Sequence, residues 1–584
     1  MAVRTAGERI WRRDKAPRAP DCHARRSDEA GESAVKRARN DSCATLAFLA
    51  LTLLITACAG AAPPSAPQDL SAAMQPKRGG VLHLPVTGTN ASLNPYIASG
   101  SPATLPDTIY EKLLARDAQP GVNWAEHQKL MPWLAERWER TDPNTYVFQL
   151  RKDVTWHDGK PLTAADVTHT FNHLKEARTL TVAARVRNIR SIEVADPHTV
   201  RLITTTPNPD FLTEDVLYIG ISPKHLQEEG KQLETSALGT GPFKLKNFDK
   251  TAGWTVARNE AYRMKDLPYL DGVAGHYISD RGTITAGVVA GNLDVMNVGD
   301  KPQLDTALGI KSELTFEKFY GNNGYGIFLA MDKPPFDDIR VRQAMNLAID
   351  RQDMITKGAF GDGIPNPPGF AGWVKSRAIP QEELVKLPGY NPATRQQDIA
   401  RAKQLLGESG HRNIQAKMSF SADATNARPI AEVGAAQLKE LLGFDITLQP
   451  LDRATLGKVE QEGTYELHVH SFGRGRNDFL QGLHSKGTLN KRGPYDPDLD
   501  AVVEKYVAEF DDAEAGRLAR QLQKALYDKA YFIGAIERAI YTVYQPWVHD
   551  FMNNYGGNPI PYWTPPAIWL DVDMLPAAWR AERP

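Results

Sequence analysis

The apolar residues of this chain recur with two periods, one typical of strands and the other typical of helices. Residues 146–150, Tyr-Val-Phe-Gln-Leu, alternate as the residues of a half-buried strand do. Val167, Phe171 and Leu174 recur at i, i+4 and i+7, which predicts a helix with one buried face. Short segments of both kinds follow one another through the sequence. This mixture of helices and strands predicts an α/β fold class.

Capping residues indicate where several of these elements begin and end. Asp338 is positioned to cap a helix whose apolar face includes Val341 and Met345. Glycines that follow a periodic segment predict helix ends in the same way. The other predicted elements are helices over residues 109–114, 400–406 (closed by Gly407), 431–442 (closed by Gly443) and 512–528, and a strand over residues 444–448.

His157 stands beside Asp158, and such a pair raises the question of a catalytic relay or a metal site. Residues 158–161, Asp-Gly-Lys-Pro, are a turn signal. Thr163 and Asp166 then match a capping box at the start of the next helix. Adjacent side chains also diverge in direction, so the pair is poorly placed to share one proton. We therefore expect His157 to be a structural residue of the turn.

The amino-terminal part of the chain carries a targeting signal. Residues 44–57 form a 14-residue apolar run that follows Lys36, Arg37 and Arg39. Spanning a bilayer takes about 20 apolar residues, so this run is too short for a membrane helix. Its length and basic flank are typical of a signal-peptide core. We expect residues 1–57 to be a disordered leader followed by a signal peptide.

Residues 55–58, Ile-Thr-Ala-Cys, resemble the lipobox of bacterial lipoproteins. The resemblance implies that Cys58 becomes the lipidated first residue of the mature protein. Residues 58–77, small and rich in proline, then form a flexible tether. The alternative is a plain secretory signal followed by a cysteine. Cys22 and Cys43 precede the cleavage site, which excludes an intrachain disulfide and a cysteine-based zinc site in the mature chain.

Composition narrows the class of protein. The 584 residues are 42% hydrophobic and 24% charged, an ordinary globular balance, and the length predicts several core-bearing units. The formal net charge of −1 provides no basic surface for nucleic acid. Neither G-x-S-x-G nor H-E-x-x-H occurs, so the motifs of common secreted hydrolases are missing. We expect no enzymatic activity, no cofactor and no metal.

Several segments, in this order, resemble the signature segments of family 5 extracellular solute-binding proteins. They are WHDGKPLTAADV, GTGPF, ARNEAY, GNLD, PPFDDIRVRQAMNLAIDR and AKQLLGESG, and the resemblance covers roughly residues 78 to 560. The family includes the peptide- and nickel-binding proteins of bacterial ABC importers. The resemblance implies a two-lobed fold like that of periplasmic binding proteins, with an extra inserted subdomain and a ligand held between the lobes.

By analogy with the family, the chain begins in the first lobe, leaves it twice and returns to it twice. Residues 78–116, 232–335 and 536–584 are expected in the first lobe, residues 117–231 in the inserted subdomain and residues 336–535 in the second lobe.

Residues 471–479 are the predicted centre of the ligand site, because a glycine-rich loop there follows a predicted strand. In peptide-binding members the corresponding place carries a tryptophan and an acidic-aromatic pair, whose acid binds the peptide's amino group. Asp478 and Phe479 match that pair, so the resemblance implies that Asp478 binds an amine. The tryptophan has no counterpart in this loop, a departure from the pattern of plain peptide binders.

Other residues near this loop, or in glycine-rich segments elsewhere, are further candidates for ligand binding. Arg474 and Arg476 suggest a solute carboxylate or phosphate, because guanidinium groups bind such anions with two hydrogen bonds. The alternative is that both arginines are solvated loop charges. Phe472, Trp373 and Tyr325 are aromatic residues expected to line the cleft, with core packing as the alternative.

His468 and His470 lie two residues apart on a predicted strand, so their side chains share a face. Two ligands do not make a metal site, and the sequence identifies no third. We therefore predict no metal site at these histidines.

These observations predict a monomeric, lipid-anchored solute-binding protein at the periplasmic or extracellular face of a membrane. It would capture a peptide-like or other small polar solute and deliver it to the permease subunits of an ABC importer. A structural lipoprotein or a peptide-binding chaperone is the alternative. The sequence leaves open whether the solute is a peptide, an opine-like compound, a sugar or a metal chelate.

Overall fold

A computed structural model describes most of the chain after the predicted tether. The described residues are 75–87, 92–97, 105–116, 129–177, 181–320, 324–372, 375–422, 427–472, 476–488, 490–551 and 567–575. Cys58 and the leader lie outside them. Residues 76–584 belong to one compact unit.

Strands and helices are mixed along the whole chain, as the α/β prediction requires. The strands are β1 (Val81–Val86), β2 (Leu114–Arg116), β3 (Leu130–Pro132), β4 (Ala135–Asp142), β5 (Thr145–Leu150), β6 (Ile189–Asp196), β7 (Thr199–Thr204), β8 (Phe243–Asp249), β9 (Gly253–Arg258), β10 (Gly272–Tyr277), β11 (Val295–Val298), β12 (Thr315–Tyr320), β13 (Gly324–Leu329), β14 (Gly363–Pro365), β15 (Gln415–Ser421), β16 (Asp445–Leu451), β17 (Leu467–Phe472), β18 (Phe532–Gly534), β19 (Ile536–Tyr544), β20 (Val548–His549) and β21 (Trp569–Leu570).

The α-helices lie mostly between these strands, and short 3₁₀ turns and a π-helix at Phe211–Asp215 accompany them. The α-helices are α1 (Leu105–Ile109), α2 (Ala164–Glu176), α3 (Lys224–Glu228), α4 (Arg281–Ala290), α5 (Lys301–Ile310), α6 (Ile339–Ala348), α7 (Arg351–Gly358), α8 (Gln381–Leu384), α9 (Arg395–Ser409), α10 (Ala427–Leu442), α11 (Arg453–Glu462), α12 (Arg476–Gly482), α13 (Pro497–Ala508) and α14 (Asp512–Asp528).

The first lobe is built on two sheets. One has the strand order β1-β10-β9-β8, in which β1 and β10 are parallel, and the other has the order β11-β19-β12. Leu82, Leu84 and Trp254 are buried in the core under the first of these sheets. The carboxyl-terminal strands β20 and β21 contribute to the same core through Val548 and Leu570.

The inserted subdomain is an antiparallel sheet with the strand order β4-β5-β7-β6. Helix α2 covers it and buries Val167, Phe171 and Leu174, as the spacing of these residues predicts. Trp156 and Phe148 complete the centre of the core. All members of this apolar core lie within residues 96–238.

The second lobe is built on a five-stranded sheet with the order β16-β15-β17-β13-β18. Strands β15, β16 and β17 are parallel to one another, whereas β13 is antiparallel to β17 and β18. Helices α6, α7, α9 and α10 contribute to the core against this sheet. A second core lies between α12, α13 and α14.

Two chain segments cross between the lobes, and they lie side by side. The chain passes from β12 in the first lobe to β13 in the second, and it returns from β18 to β19. Tyr320 pairs with Ala539 on one side of the crossing, and Gly326 pairs with Gly534 on the other. Strand β13 therefore belongs to the second lobe's sheet, although the predicted boundary at residue 335 assigns it to the first lobe.

Most of the predicted elements are confirmed. Thr163 and Asp166 form the predicted capping box of α2. The carboxylate of Asp338 accepts a hydrogen bond from Arg340 N at 2.8 Å and so caps α6. Helix α14 spans the predicted residues 512–528, and α10 ends at the predicted Gly443, whose φ is 72°.

Two predicted elements are wrong. Residues 109–114 are not a helix, because α1 ends at Ile109 and Leu114 begins the short strand β2. Gly407 does not close α9, which continues to Ser409 and ends at Gly410 with φ 78°. A glycine within a helix costs about 1 kcal/mol relative to alanine, a penalty that the packing of α9 outweighs.

His157 is a structural residue, as the turn signal predicts. Its Nε2 lies 3.0 Å from Gly241 O, and its Nδ1 accepts from Gly239 N at 3.4 Å. These contacts fix the neutral Nε2–H tautomer, and burial lowers the pKa of His157 to about 4. Asp158 instead pairs with His225 Nε2 at 2.9 Å. His157 therefore holds the turn over residues 239–243 in place through hydrogen bonds to Gly239 and Gly241, and it shares no proton with Asp158.

We expect Gly239→Ala to destabilise the protein strongly, because a Cβ at Gly239 would lie 1.9 Å from the carbonyl oxygen of Ile109. Overpacking of this kind typically costs about 1–3 kcal/mol or more. Gly407→Ala is the matched control, since a Cβ there meets nothing within 4 Å inside α9. Thermal melts should show a clear fall in Tm for the first variant and an unchanged or higher Tm for the second. Equal melting temperatures would contradict this packing.

Candidate functional site

The inserted subdomain meets the second lobe around Asp210, which precedes the π-helix Phe211–Asp215. The local turn holds Asp210 in place, because its N–H donates to Asn208 Oδ1 at 3.1 Å and its carbonyl accepts from Glu214 N at 2.7 Å. The residue is 8% exposed. A carboxylate this well buried needs partners, and its described partners come from the second lobe.

Arg476, the first residue of α12, is the main partner of Asp210. Its backbone N–H donates to Asp210 Oδ2 at 2.9 Å, and its Nε lies 3.2 Å from Asp210 Oδ1. Its Nη1 donates to the carbonyl of Tyr506 at 3.3 Å and to that of Glu509. The second lobe thus fixes the guanidinium through two carbonyls, and Asp210 binds to it from the other side.

Arg377 adds a second positive charge to this contact. Its Nη2 lies 3.9 Å from Asp210 Oδ1, and its Nη1 is 3.5 Å from the Tyr506 hydroxyl. Burial raises the pKa of Tyr506, so its hydroxyl stays neutral. Two guanidinium groups therefore face one carboxylate in a shielded place. Removing one member of a buried ion pair typically costs about 3–5 kcal/mol.

Arg140 and Phe510 form a second contact between the inserted subdomain and the second lobe. The guanidinium carbon of Arg140, on β4, lies 3.6 Å from the centre of the Phe510 ring. Apart from such contacts, each body has its own apolar core, since the cores of the second lobe lie within residues 325–536. In the part of the chain that the structure describes, polar and cation–π contacts rather than a shared apolar core join the inserted subdomain to the second lobe.

The described residues of the predicted loop over 471–479 belong to strand β17 and helix α12. Helix α12 begins at Arg476, so Asp478 and Phe479 lie in its first turn, which the sequence-based assignment of a loop missed. Phe479 is 1% exposed, and its ring centroid lies 4.5 Å from that of Phe370 and 5.4 Å from that of Tyr506. Phe479 is therefore a core residue that anchors the helix carrying Asp478.

The other predicted site residues are described to different extents. For Asp478 and Phe472 the backbone alone is described, in α12 and β17 respectively. Arg474 and Trp373 lie outside the described residues. Roles in ligand binding for these residues, and for Arg476, stay predictions.

Tyr325 lies at the crossing between the lobes. Its carbonyl accepts from Ala535 N at 3.0 Å, and it pairs with Ser471 on β17. Its side chain is half-buried and packs against the core of the second lobe. This position brings Tyr325 close to the strand that leads to the predicted ligand loop, of which residues 473–475 are outside the described residues.

His468 and His470 share the carboxylate of Glu460. The distances from their Nε2 atoms to Glu460 Oε1 are 3.0 and 3.2 Å. His468 Nδ1 also contacts Ser419 Oγ at 2.9 Å. Within the described part of the chain, no group of three or more histidine, cysteine, aspartate or glutamate residues is arranged to hold a metal ion.

Asp210 is the residue that the sequence analysis missed. It lies in the segment Pro207-Asn208-Pro209-Asp210, which reads as an ordinary turn, and its partner is 266 residues further along the chain. No local pattern signals a contact of that range.

None of the helices in the described residues has the length and apolarity that a bilayer crossing requires.

Two lobes joined by paired crossing strands, with a subdomain inserted in the first, define the two-lobed fold of extracytoplasmic solute-binding proteins. Solved structures share it: the ABC transporter substrate-binding protein CtaP of Listeria monocytogenes superposes with a TM-score of 0.70 at 21% identity, covering 85% of this chain and 100% of CtaP.

The sequence comparisons give the family. The profile of the bacterial extracellular solute-binding proteins, family 5, matches residues 129–491. The glutathione-binding protein GsiB of Salmonella choleraesuis is 25% identical over 400 residues, which cover 66% of this chain and 72% of GsiB. A putative ABC transporter peptide-binding protein of Brucella ovis is 26% identical over 394 residues, which cover 65% and 70% of the two chains. The chain belongs to family 5 of the bacterial extracellular solute-binding proteins, which are not enzymes.

Asp215, close to Asp210, should make the stability of the protein depend on pH. Burial raises the pKa of Asp215 from 3.8 to about 7, and the carboxylates of Glu214 and Asp210 add to the effect. Between pH 3.8 and about pH 7, Asp215 is ionised in the unfolded chain and protonated in the folded chain. Stability therefore falls as pH rises through this window. Asp215→Asn removes the penalty and should stabilise the protein by about 1–2 kcal/mol above pH 7, after allowance for solvent screening.

The measurement is unfolding by urea between about pH 4 and pH 8, with equal stabilities expected at the acidic end. Asp196→Asn, on strand β6 of the same subdomain, is the control of opposite sign. A hydrogen bond from His198 N holds the pKa of Asp196 below its usual value. Loss of the Asp196 negative charge should therefore destabilise the protein above that pKa. A wild-type advantage over Asp215→Asn at neutral pH would refute the buried-carboxyl account.

Proposed function

We propose that this protein captures a peptide-like or other small polar solute between its two lobes and delivers it to the permease subunits of an ABC importer. Membership of family 5 and the relatives named as glutathione- and peptide-binding proteins support this function. The observation that carries it is the pair of crossing strands, β12–β13 and β18–β19, which joins two bodies with separate cores. Such a connection permits hinge closure.

Closure gives the importer a signal that the solute is bound. A solute that contacts both lobes favours the closed form by the difference between its affinities for the two forms. A permease that recognises the closed form therefore receives loaded protein preferentially. The protein acts as a monomer in this scheme, because one chain supplies both lobes.

The solute's amino group is bound by Asp478 in this proposal. Asp478 lies in the first turn of α12, and Phe479 anchors that turn in the core. A rigid support of this kind reduces the entropy lost when a ligand binds. Arg474, Phe472, Trp373 and Tyr325 are the proposed neighbours that complete the site, with the arginine reserved for a carboxylate of the solute.

Asp478→Asn is expected to weaken binding of peptides with a free amino group, because it removes the charge and nearly keeps the shape. Truncating one partner of a desolvated charge pair costs about 2–5 kcal/mol, against about 0–1 for an exposed pair. Titration calorimetry with glutathione and a series of di- and tripeptides measures the difference. Asp498→Asn is the matched control, since Asp498 is exposed in the first turn of the nearby α13.

The variant should lose at least about tenfold in affinity for a peptide that the wild type binds, and N-acetylation of that peptide should cost the wild type a similar factor. An Asp478→Asn protein that binds the free-amine peptide within twofold of wild type would show that another group holds the amine.

We also propose that the protein is held at the membrane by a lipid on Cys58. The motif at residues 55–58 and the apolar run before it support this anchor. The end of the proposed tether is fastened to the first lobe, because Lys77 Nζ pairs with Asp571 and lies 2.7 Å from Asp573 Oδ2. The tether would therefore leave the protein beside the carboxyl-terminal segment of the first lobe.

Cys58→Ser should move the protein from the membrane fraction to the soluble fraction or leave it unprocessed. Each buried CH₂ contributes about 0.8 kcal/mol, so a diacyl group with a third chain anchors stably. Fractionation of a bacterium that expresses each form, with mass spectrometry of the mature amino terminus, is the measurement. Cys43→Ser is the control. Unchanged membrane partitioning and an unchanged mature mass for Cys58→Ser would exclude lipidation.

A further inference from the structure

Asp210 and Arg476 are each held in place within their own body before they meet. The Asp210 backbone is fixed by Asn208 and Glu214 in the inserted subdomain. The Arg476 guanidinium is fixed by the carbonyls of Tyr506 and Glu509 in the second lobe. Neither residue needs the other to take up its conformation. The contact therefore joins two groups that are each already ordered, the Asp210 turn and the Arg476 guanidinium. This order reduces the entropy lost when the contact forms.

The described partners of the Asp210 carboxylate, Arg476 and Arg377, both belong to the second lobe. When the lobes separate, the contact is lost and water must solvate the carboxylate and both guanidinium groups. The side chains of Asp210 and Arg476 are 12% and 5% exposed in the contact. A movement that separates the lobes would break the ion pair, so the pair can bias an equilibrium between two arrangements of the lobes.

Among the described residues, a second contact accompanies the ion pair at this boundary. The Arg140–Phe510 cation–π contact lies there, and the apolar cores on the two sides are separate. Since no described core spans the boundary, the shielded ion pair supplies a share of the energy that holds its two sides together. Arg377 strengthens this share, because a second cation near Asp210 Oδ1 compensates the buried negative charge.

We propose that Asp210, Arg476 and Arg377 form a closure latch, in which the inserted subdomain binds the second lobe and favours the closed form even without solute. Asp210 is then a positioning residue for solute capture, distinct from the groups that touch the solute. A latch raises the apparent affinity of any solute that binds the closed form, because a larger fraction of the protein is already competent. It sets affinity for every such solute alike and does not select among them.

Distance measurement by pulsed electron paramagnetic resonance tests the latch without any solute. Spin labels on Glu193→Cys in the inserted subdomain and Lys458→Cys in the second lobe report lobe separation, since both side chains are at least half exposed. The full-length chain is used, with Cys22, Cys43 and Cys58 replaced by serine so that labelling is specific. The ratio of closed to open distances is the readout.

The wild type should populate mainly the closed distance, and Asp210→Ala should lower the closed-to-open ratio at least about tenfold. Asp210→Asn should act in the same direction by a smaller factor. Adding Arg476→Ala to Asp210→Ala should change the ratio little further, because the carboxylate that Arg476 pairs with is already gone. Asp305→Asn is the matched control. It removes a carboxylate 2.7 Å from Lys301 Nζ on α5 of the first lobe, where both side chains are exposed.

Circular dichroism identifies any variant that has failed to fold, and the milder Asp210→Asn then carries the test. The latch is overturned if the folded Asp210 variants keep the wild-type ratio within twofold, or if the wild type is mainly open. Because the measurement contains no solute, neither result bears on whether Asp478 binds an amine.

Discussion

The close approach of the two crossing segments is the constraint on which the arrangement of the lobes depends. A Cβ at Gly326 would lie 2.4 Å from Ile533 O, and one at Gly534 would lie 2.5 Å from Asn366 O. Glycine at these positions lets β13, β18 and the segment after β14 pack with their backbones in contact. Ala535 N bonds to Tyr325 O at 3.0 Å, and Asn366 N bonds to Ala535 O at 2.9 Å. Backbone hydrogen bonds therefore hold these segments together where the chain crosses between the lobes.

Away from the crossing segments, the described contacts between the inserted subdomain and the second lobe are polar and cation–π contacts. In the described residues the inserted subdomain and the second lobe each bury their own apolar core, so no described core is divided when they separate. A small number of charged groups, with Asp210 at their centre, can then shift the equilibrium between open and closed forms. This division suits a binding protein, which needs rigid lobes and a weakly biased boundary.

Local patterns in the sequence were sufficient for most of the fold and for little of the site. The capping box at Thr163 and Asp166 and the periodic face of α2 are determined by neighbouring residues, so they could be predicted. The helix over 109–114 failed because tertiary pairing of Leu114 in β2 outweighs its helical pattern. Asp210 and its partner could not be found, because long-range ion pairs leave no periodic signal. Phe479 was singled out as half of an acidic-aromatic pair, but its core surroundings among Phe370 and Tyr506 appear only in three dimensions.

Native mass spectrometry of the protein purified from its own host tests the central claim, capture of a solute between the lobes, most directly. The account predicts a complex heavier than the polypeptide by one small polar molecule, which dissociates on activation or denaturation. The identified molecule, added back to stripped protein, should restore that mass with saturation at one equivalent. A preparation that carries no small molecule, and that gains none from peptides or glutathione at millimolar concentration, would contradict the account.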